Sequence, residues 1–267
     1  MKVLLVDDDP IQRMLLVDLL HRFEKVEIVQ AADGDEAWKE LESGLCPVLC
    51  CCDMRMPGMS GIELLRRFKS RPALAEVPFV FFSAATDRNT IEDAIAAGAT
   101  GYILKPFDLR GARSKLEKVF HGIRERYCEE TRVTQKRLGV PPEKLLGYFD
   151  AFKNQLADSG PSMQEQSADG KNTPPGARFD NLQASCAALG LWHAARMIEY
   201  ARSMKPDVVE RILQDVATII DQQVLRARAE FGIRESPALK ANEKPAQDNE
   251  PAAAPVATTE PDDEPGA

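Results

Sequence analysis

The chain has 267 residues, 44% of them hydrophobic, and a formal net charge of -8. That length suits one large domain or two modest ones, and the apolar content is ordinary for a folded protein. No segment is basic: 17 Lys and Arg face 19 Asp and Glu over residues 1–124, 14 face 15 over 125–233, and 3 face 8 over 234–267, which makes DNA binding an unexpected activity.

The first element is an apolar run at residues 3–6, which meets Asp7-Asp8-Asp9 at once. It is too short for a signal peptide. Further runs of strand length follow at 26–29, 48–52, 79–82 and 102–104. Between them lie segments with helical spacing. Ile11, Met14, Leu15 and Asp18 with Leu19 and Phe23 trace one face, and Ala37, Leu41 and Leu45 a second. Ile62, Leu65 and Phe68 trace a third, Ile91, Ala94 and Ile95 a fourth, and Leu109, Ala112, Leu116, Val119 or Phe120, and Ile123 a fifth. Five strands alternating with five helices predict a parallel sheet covered on both faces over residues 1–124. Cys50, Cys51 and Cys52 then read as small buried residues of a central strand. The six cysteines lack paired zinc spacing and fit a reducing cytoplasm.

The remainder reads as helical. Residues 125–138 extend the last helix as a connector, since Leu116, Val119, Ile123 and Tyr127 keep the spacing before Glu130 and Thr134 break it. Pro141-Pro142-Glu143 opens a helix whose face is Leu145, Leu146, Phe149, Phe152 and Leu156. Residues 159–177, with Pro, Gly and small polar residues, read as a flexible loop. Later helices carry Phe179, Leu182, Cys186 and Leu189, then Trp192, Met197, Ile198 and Ala201, then Val208, Ile212, Val216, Ile219, Ile220 and Leu225. An all-α bundle over 139–233 is expected. Residues 234–267 contain only Leu239 and Val256 as large aliphatics and no aromatics. Such a Pro/Ala/acidic tail is expected to be disordered. No apolar run approaches the roughly 18 residues that a membrane helix needs, so no membrane association is expected.

Ligands of parallel α/β sheets bind at the carboxyl ends of the strands. Here those ends are Asp7-Asp8-Asp9, Asp53, Ser83 and Lys105-Pro106; the second strand ends blandly near Gln30-Ala31. Each has an ordinary explanation by itself. Asp9-Pro10 suits a helix cap, Ser83 a strand-end hydroxyl, Lys105 a solvated lysine. Their convergence on one edge does not. Carboxylates on neighbouring strands repel unless a cation lies between them, and a few carboxylates with room for water suit Mg²⁺.

These residues carry a resemblance. Val6-Asp7-Asp8, Asp53-Met54-Arg55-Met56-Pro57 with Gly61, Ser83-Ala84, Ala97-Gly98-Ala99 and Lys105-Pro106-Phe107 resemble the receiver domains of two-component response regulators across the whole first domain. The resemblance implies a flavodoxin-like fold and a phosphoprotein. It implies that Asp53 accepts a phosphoryl group from a sensor histidine kinase or phosphotransfer protein. Asp7, Asp8, Asp53 and the Arg55 backbone carbonyl would hold Mg²⁺. Lys105, across a cis Lys105-Pro106 bond, would pair with the phosphoryl oxygens. Ser83 would hydrogen-bond the attached group, and Tyr102 would be the switch aromatic. Ser83 stands where the family often has Thr, which keeps the hydroxyl.

A second resemblance lies in Asp180-Asn181-Leu182-Gln183-Ala184-Ser185-Cys186-Ala187-Ala188-Leu189-Gly190. It is similar to the core helix of histidine-containing phosphotransfer domains. Asp180 replaces the phosphorylatable histidine and Gln183 the supporting lysine, so relay activity is expected to be absent. His21, His121 and His193 stand elsewhere. The expected function is a phosphorylation switch, not an enzyme, whose helical module docks a still unidentified output protein. The alternative is an unrelated helical output module for RNA binding or for dimerisation, which would make the chain a homodimer.

Overall fold

Apolar runs too short to be helices pair side by side because each strand can bury both faces only inside a sheet that is covered above and below. The computed structural model describes residues 1–23, 26–84, 88–162 and 175–233. Its five strands are β1 (Lys2–Val6), β2 (Glu27–Ala31), β3 (Leu49–Cys52), β4 (Phe79–Ser83) and β5 (Gly101–Leu104). They form one parallel sheet in the order β2-β1-β3-β4-β5. This is the expected flavodoxin-like arrangement. The helices between them are α1 (Pro10–Leu20), α2 (Gly34–Glu42), α3 (Gly61–Ser70), α4 (Pro72–Ala75) and α5 (Arg88–Ala96), and α6 (Leu109–Tyr127) follows β5. One core cluster lies on each face of the sheet. Cys50, Cys51 and Cys52 are fully buried in β3, and all six cysteines are free.

The sequence reading misplaced several faces. Ile11 and Met14 are each 68% exposed and Leu15 47%; α1 buries Leu16, Leu19 and Leu20 instead. The α1 sequence is apolar nearly all round, so spacing could not choose a side. Ile95 and Leu109 are likewise exposed. The one-turn α4 was missed because four residues hold no period; Pro72 at its first position starts it.

After α6 come α7 (Thr131–Leu138), α8 (Pro142–Ser162), α9 (Pro175–Ala188), α10 (Trp192–Ala201) and α11 (Pro206–Phe231). The connector expected at 125–138 is thus not continuous. Residues 128–130 break it; Thr134, expected with Glu130 to break the pattern, is buried, as is Thr131. The expected loop at 159–177 is helical to Ser162 and again from Pro175; residues 163–174 lie outside the described residues. So does the expected disordered tail, 234–267. α8 to α11 share one apolar core that includes Leu145, Phe149, Cys186, Ile198, Ile212 and Ile220. Leu225, placed on that face by its sequence spacing, is 62% exposed, and Val224 takes the buried position. No helix among the described residues is long and apolar enough to cross a membrane.

Met1–Ile233 forms one compact unit. Polar and aromatic contacts join its two parts. Tyr200 Oη donates to the Leu41 carbonyl at 2.6 Å and accepts from Arg71 at 2.8 Å. The Arg71 guanidinium lies 4.3 Å from the Trp38 ring centroid, within cation–π range. Lys2 pairs with Asp215 at 2.7 Å, Arg211 donates to the Ser43 carbonyl, and His193 stacks on Tyr127 with centroids 4.9 Å apart. Lys2 opens β1, Ser43 precedes β3 and Arg71 precedes β4. The helical part therefore packs on the edge where strands begin, opposite the edge where they end.

His193 sits in this joint only 5% exposed, where burial and then the neighbouring Arg196 push its pKa down to about 3 from 6.5. The unfolded chain then takes up a proton that the folded chain refuses, so stability is full above about pH 6.5 and is lost as pH falls toward the folded value. The loss from this group should be about 1.4 kcal/mol per pH unit in that window. Urea unfolding of wild type and His193→Gln between about pH 7 and 4.5 should show a shallower pH slope for the variant; equal slopes would assign the acid sensitivity to other groups.

Candidate functional site

The parallel register decides what meets at the strand ends. Val6 pairs with Cys52 and Ala31, so Asp7 and Asp53 leave neighbouring strands together. Two ladder bonds continue past the strands: Asp53 N–H donates to the Val6 carbonyl at 2.8 Å, and Lys105 N–H to the Ser83 carbonyl at 2.9 Å. Ser83, 1% exposed, ends β4 beside them. Asp9 turns the chain away as the N-cap of α1, accepting from the Ile11 and Gln12 N–H groups, with Pro10 behind it. Its capping role is the ordinary one expected.

Asp7, Asp8 and Asp53 each present an oxygen within 4.8 Å of the others. Lys105 Nζ bridges two of them, at 2.7 Å from Asp7 Oδ2 and 2.9 Å from Asp53 Oδ2. The remaining oxygens are also fixed. Asp7 Oδ1 accepts from the Asp9 N–H at 3.0 Å, and Asp53 Oδ1 from the Met54 and Arg55 N–H groups at 2.5 and 3.3 Å. Arg13 in α1 donates to the Asp7 carbonyl at 2.5 Å. The sequence reading missed Arg13, whose only signal is its place one helical turn past Asp9. The Lys105-Pro106 peptide is cis, as expected. Arg55 lies in the loop after Asp53, and Tyr102, half-buried on β5, stands three residues before Lys105.

Burial works against the charges of Asp7 and Lys105. Asp7 is fully buried, and that pushes its carboxyl pKa up against the opposing pull of Lys105. Burial also opposes the Lys105 ammonium, but its hydrogen bonds to Asp7 and Asp53 outweigh that and raise its pKa. One ammonium thus pairs with two of the three carboxylates. The residual charge of the set is that of a divalent cation's counterpart, and Asp8 is exposed, leaving a side open to water. The donor set fits Mg²⁺.

Gly61 explains the spacing that follows Asp53. A Cβ there would lie 2.1 Å from the Asp53 carbonyl oxygen and 2.9 Å from Phe81 Cε1. Hydrogen at this position lets α3 start directly beneath the Asp53 backbone. Ser60 and Glu63 then close a capping box at that start.

Comparison with known proteins is consistent with this geometry. Residues 3–117 match the family model for the response regulator receiver domain. The chemotaxis protein CheY of Pseudomonas aeruginosa is 36% identical over 123 residues, which are 46% of this chain and 98% of that protein. Chemotaxis protein CheY-3 of Vibrio cholerae is 35% identical over 123 residues, 46% of this chain and 94% of its own length. A solved structure of Vibrio cholerae CheY4 covers 44% of this chain and 97% of its own, at 28% identity and a TM-score of 0.41.

Gly61→Ala should displace the Asp53 backbone, because neither listener to the new methyl is a flexible side-chain end. We expect a loss of about 1–3 kcal/mol in stability by overpacking, read by urea unfolding. An unchanged midpoint would mean that α3 can slide away freely.

Proposed function

The chain belongs to the response regulator receiver family, and on that premise we propose that it is a terminal two-component switch phosphorylated on Asp53. The observation that carries this reading is Lys105 Nζ held between Asp7 and Asp53 at the strand ends. Phosphoryl transfer asks for in-line placement and charge neutralisation rather than covalent help from the protein. Asp53 supplies the attacking carboxylate oxygen, held in place by the Met54 and Arg55 N–H groups. The phosphorus–nitrogen bond of a phosphohistidine donor breaks as the new oxygen–phosphorus bond forms, and the electron pair returns to the imidazole. Lys105, kept protonated by its partners, moves its charge from Asp53 to the incoming phosphoryl oxygens. Asp7, Asp8, Asp53 and the Arg55 carbonyl would hold Mg²⁺, which when bound screens the repulsion between acceptor and donor oxygens. Ser83, at the end of β4, would donate to the attached phosphoryl group, and Tyr102 would respond as the β4–α5 loop moves.

A sensor histidine kinase or a phosphotransfer protein is the proposed donor, in the cytoplasm; six free, buried cysteines suit that reducing setting. The chain acts as a switch rather than an enzyme. Its α8–α11 part is proposed to be a histidine-containing phosphotransfer fold without the histidine, acting as a bundle that docks an output protein. Asp180, at the histidine's position on α9, is 67% exposed and tied to Arg202, which also donates to Gln183 Oε1 at 3.1 Å. An arginine-bound carboxylate supports an inert position rather than a relay nucleophile.

Treating the intact protein with a small phosphodonor and Mg²⁺ tests the reading. We expect one acid-stable, base-labile phosphoryl group, absent from Asp53→Asn and unchanged in Asp180→Asn. Label that survives in Asp53→Asn, or any base-stable phosphohistidine, would mean a relay instead of a terminal switch.

A further inference from the structure

Two cations reach the strand-end edge, and they bind different things there. Lys105 pairs with carboxylates. Arg13, among the described residues, pairs with none of them and donates instead to main chain, the Asp7 carbonyl, at 2.5 Å. The helix makes this reach possible. Arg13 N–H closes the first hydrogen bond of α1, on the Asp9 carbonyl at 2.9 Å, and long helical side chains lean toward the N-terminus. The half-buried Arg13 side chain therefore lies back over the first turn, onto the loop that carries Asp7 and Asp8.

That loop is pinned at two peptide planes. The Asp7–Asp8 peptide is held by its carbonyl, through Arg13. The Asp8–Asp9 peptide is held by its N–H, which donates to Asp7 Oδ1 at 3.0 Å. Asp8 lies between the two. Peptide units are planar, so holding both planes sets φ and ψ of Asp8 and the direction in which its side chain leaves. Asp7 and Asp53 each have both carboxylate oxygens in hydrogen bonds. The Asp8 carboxylate is exposed and, among the described residues, takes part in no hydrogen bond or ion pair. Of the three carboxylates, Asp8 is thus the one whose direction depends on its backbone.

We propose that Arg13 is a positioning residue for the divalent cation: it holds the Asp7–Asp8 peptide so that the Asp8 carboxylate stays within reach of Asp7 and Asp53. The proposal rests on the reading that Asp7, Asp8 and Asp53 hold Mg²⁺. A guanidinium on a carbonyl is a charge-assisted hydrogen bond, stronger than a neutral one, and partners that orient metal ligands contribute about ten- to hundredfold in affinity. Charge and geometry make opposite demands on Arg13. As a mere positive charge beside the site it repels an incoming Mg²⁺, and its removal tightens binding. As a clamp it keeps Asp8 ordered before the ion arrives, and its removal weakens binding, because that ordering must then accompany the binding step.

Calorimetric titration of the full chain with Mg²⁺, without any phosphodonor, tests it. We expect Arg13→Ala to weaken Mg²⁺ binding by about tenfold. Arg13→Met, which keeps most of the stem and removes the donor, should do the same, and it carries the comparison if the alanine variant unfolds. Arg13→Lys, which keeps a charged donor, should recover part of the loss. Asp8→Asn should weaken Mg²⁺ by itself, and adding Arg13→Ala to it should cost nothing more, because Arg13 acts through Asp8; a general structural effect would add to it. With a small phosphodonor, Arg13→Ala should need about tenfold more Mg²⁺ for half-maximal phosphoryl uptake and reach the wild-type rate at saturation. Unchanged or tighter Mg²⁺ binding in Arg13→Ala and Arg13→Met, no recovery in Arg13→Lys, or an additive loss in the double variant would each overturn the proposal while leaving the metal reading in place. Wild-type Mg²⁺ affinity in Asp8→Asn would overturn the metal reading itself, and the proposal with it.

Discussion

Carboxylates at the ends of β1 and β3 can be gathered only where positive charge is brought among them, and Lys105 at the end of β5 brings it. That electrostatic demand ties together elements far apart in the chain: residue 7, residue 53 and residue 105 must arrive at one edge. The sheet order delivers them, because β1 and β3 are neighbours and the Lys105 side chain, from the end of β5 beyond β4, reaches both carboxylates. α3 can begin beneath Asp53 because Gly61 has no side chain. The Arg13 contact to the Asp7 carbonyl anchors α1 to the same edge.

The opposite edge of the sheet serves a different purpose. There Tyr200, Arg71, Trp38, Lys2, Asp215 and the His193–Tyr127 stack attach the helical part. Hydrogen bonds to a backbone carbonyl and to a guanidinium set orientation, while buried apolar contacts around Cys46 and Ala73 extend the helical core onto the α/β part. The consequence for signalling is geometric. The edge that carries Asp7, Asp53 and Lys105 stays clear of the helical part, which is fixed to the receiver without competing for that edge. α6 is the element common to both regions, since it follows β5 and Tyr102 and ends in the joint at Tyr127.

The α7 segment tightens this joint from the other side. Glu129 N–H donates to the Gly190 carbonyl at 2.7 Å, and Arg137 reaches both Glu129 and the Ala188 carbonyl. Gly190 has φ +70, and a Cβ there would lie 2.5 Å from Glu129 Cβ. The Leu-Gly pair that suggested a phosphotransfer-like turn in the sequence is thus also the point where the connector closes on α9 and α10.

The sequence by itself determined the local facts. Strand-length apolar runs separated by amphipathic segments specified the parallel sheet, and Asp7, Asp8, Asp53, Ser83 and Lys105 were legible because each directly follows such a run. Burial periodicity also located most of α8 to α11. What the sequence could not decide were choices that depend on neighbours. α1 is apolar on too many sides for its spacing to name the buried one, so only packing against the sheet selects Leu16 over Ile11. Thr134 looked like the end of a pattern because a threonine's burial depends on its partners, here Glu129, and the burial of nearby Thr131 likewise rests on the distant Glu230. The placement of the helical part on the strand-start edge is a property of two surfaces meeting. It rests on long-range contacts such as Tyr200 to Leu41, 159 residues apart, and no local pattern encodes such a pairing.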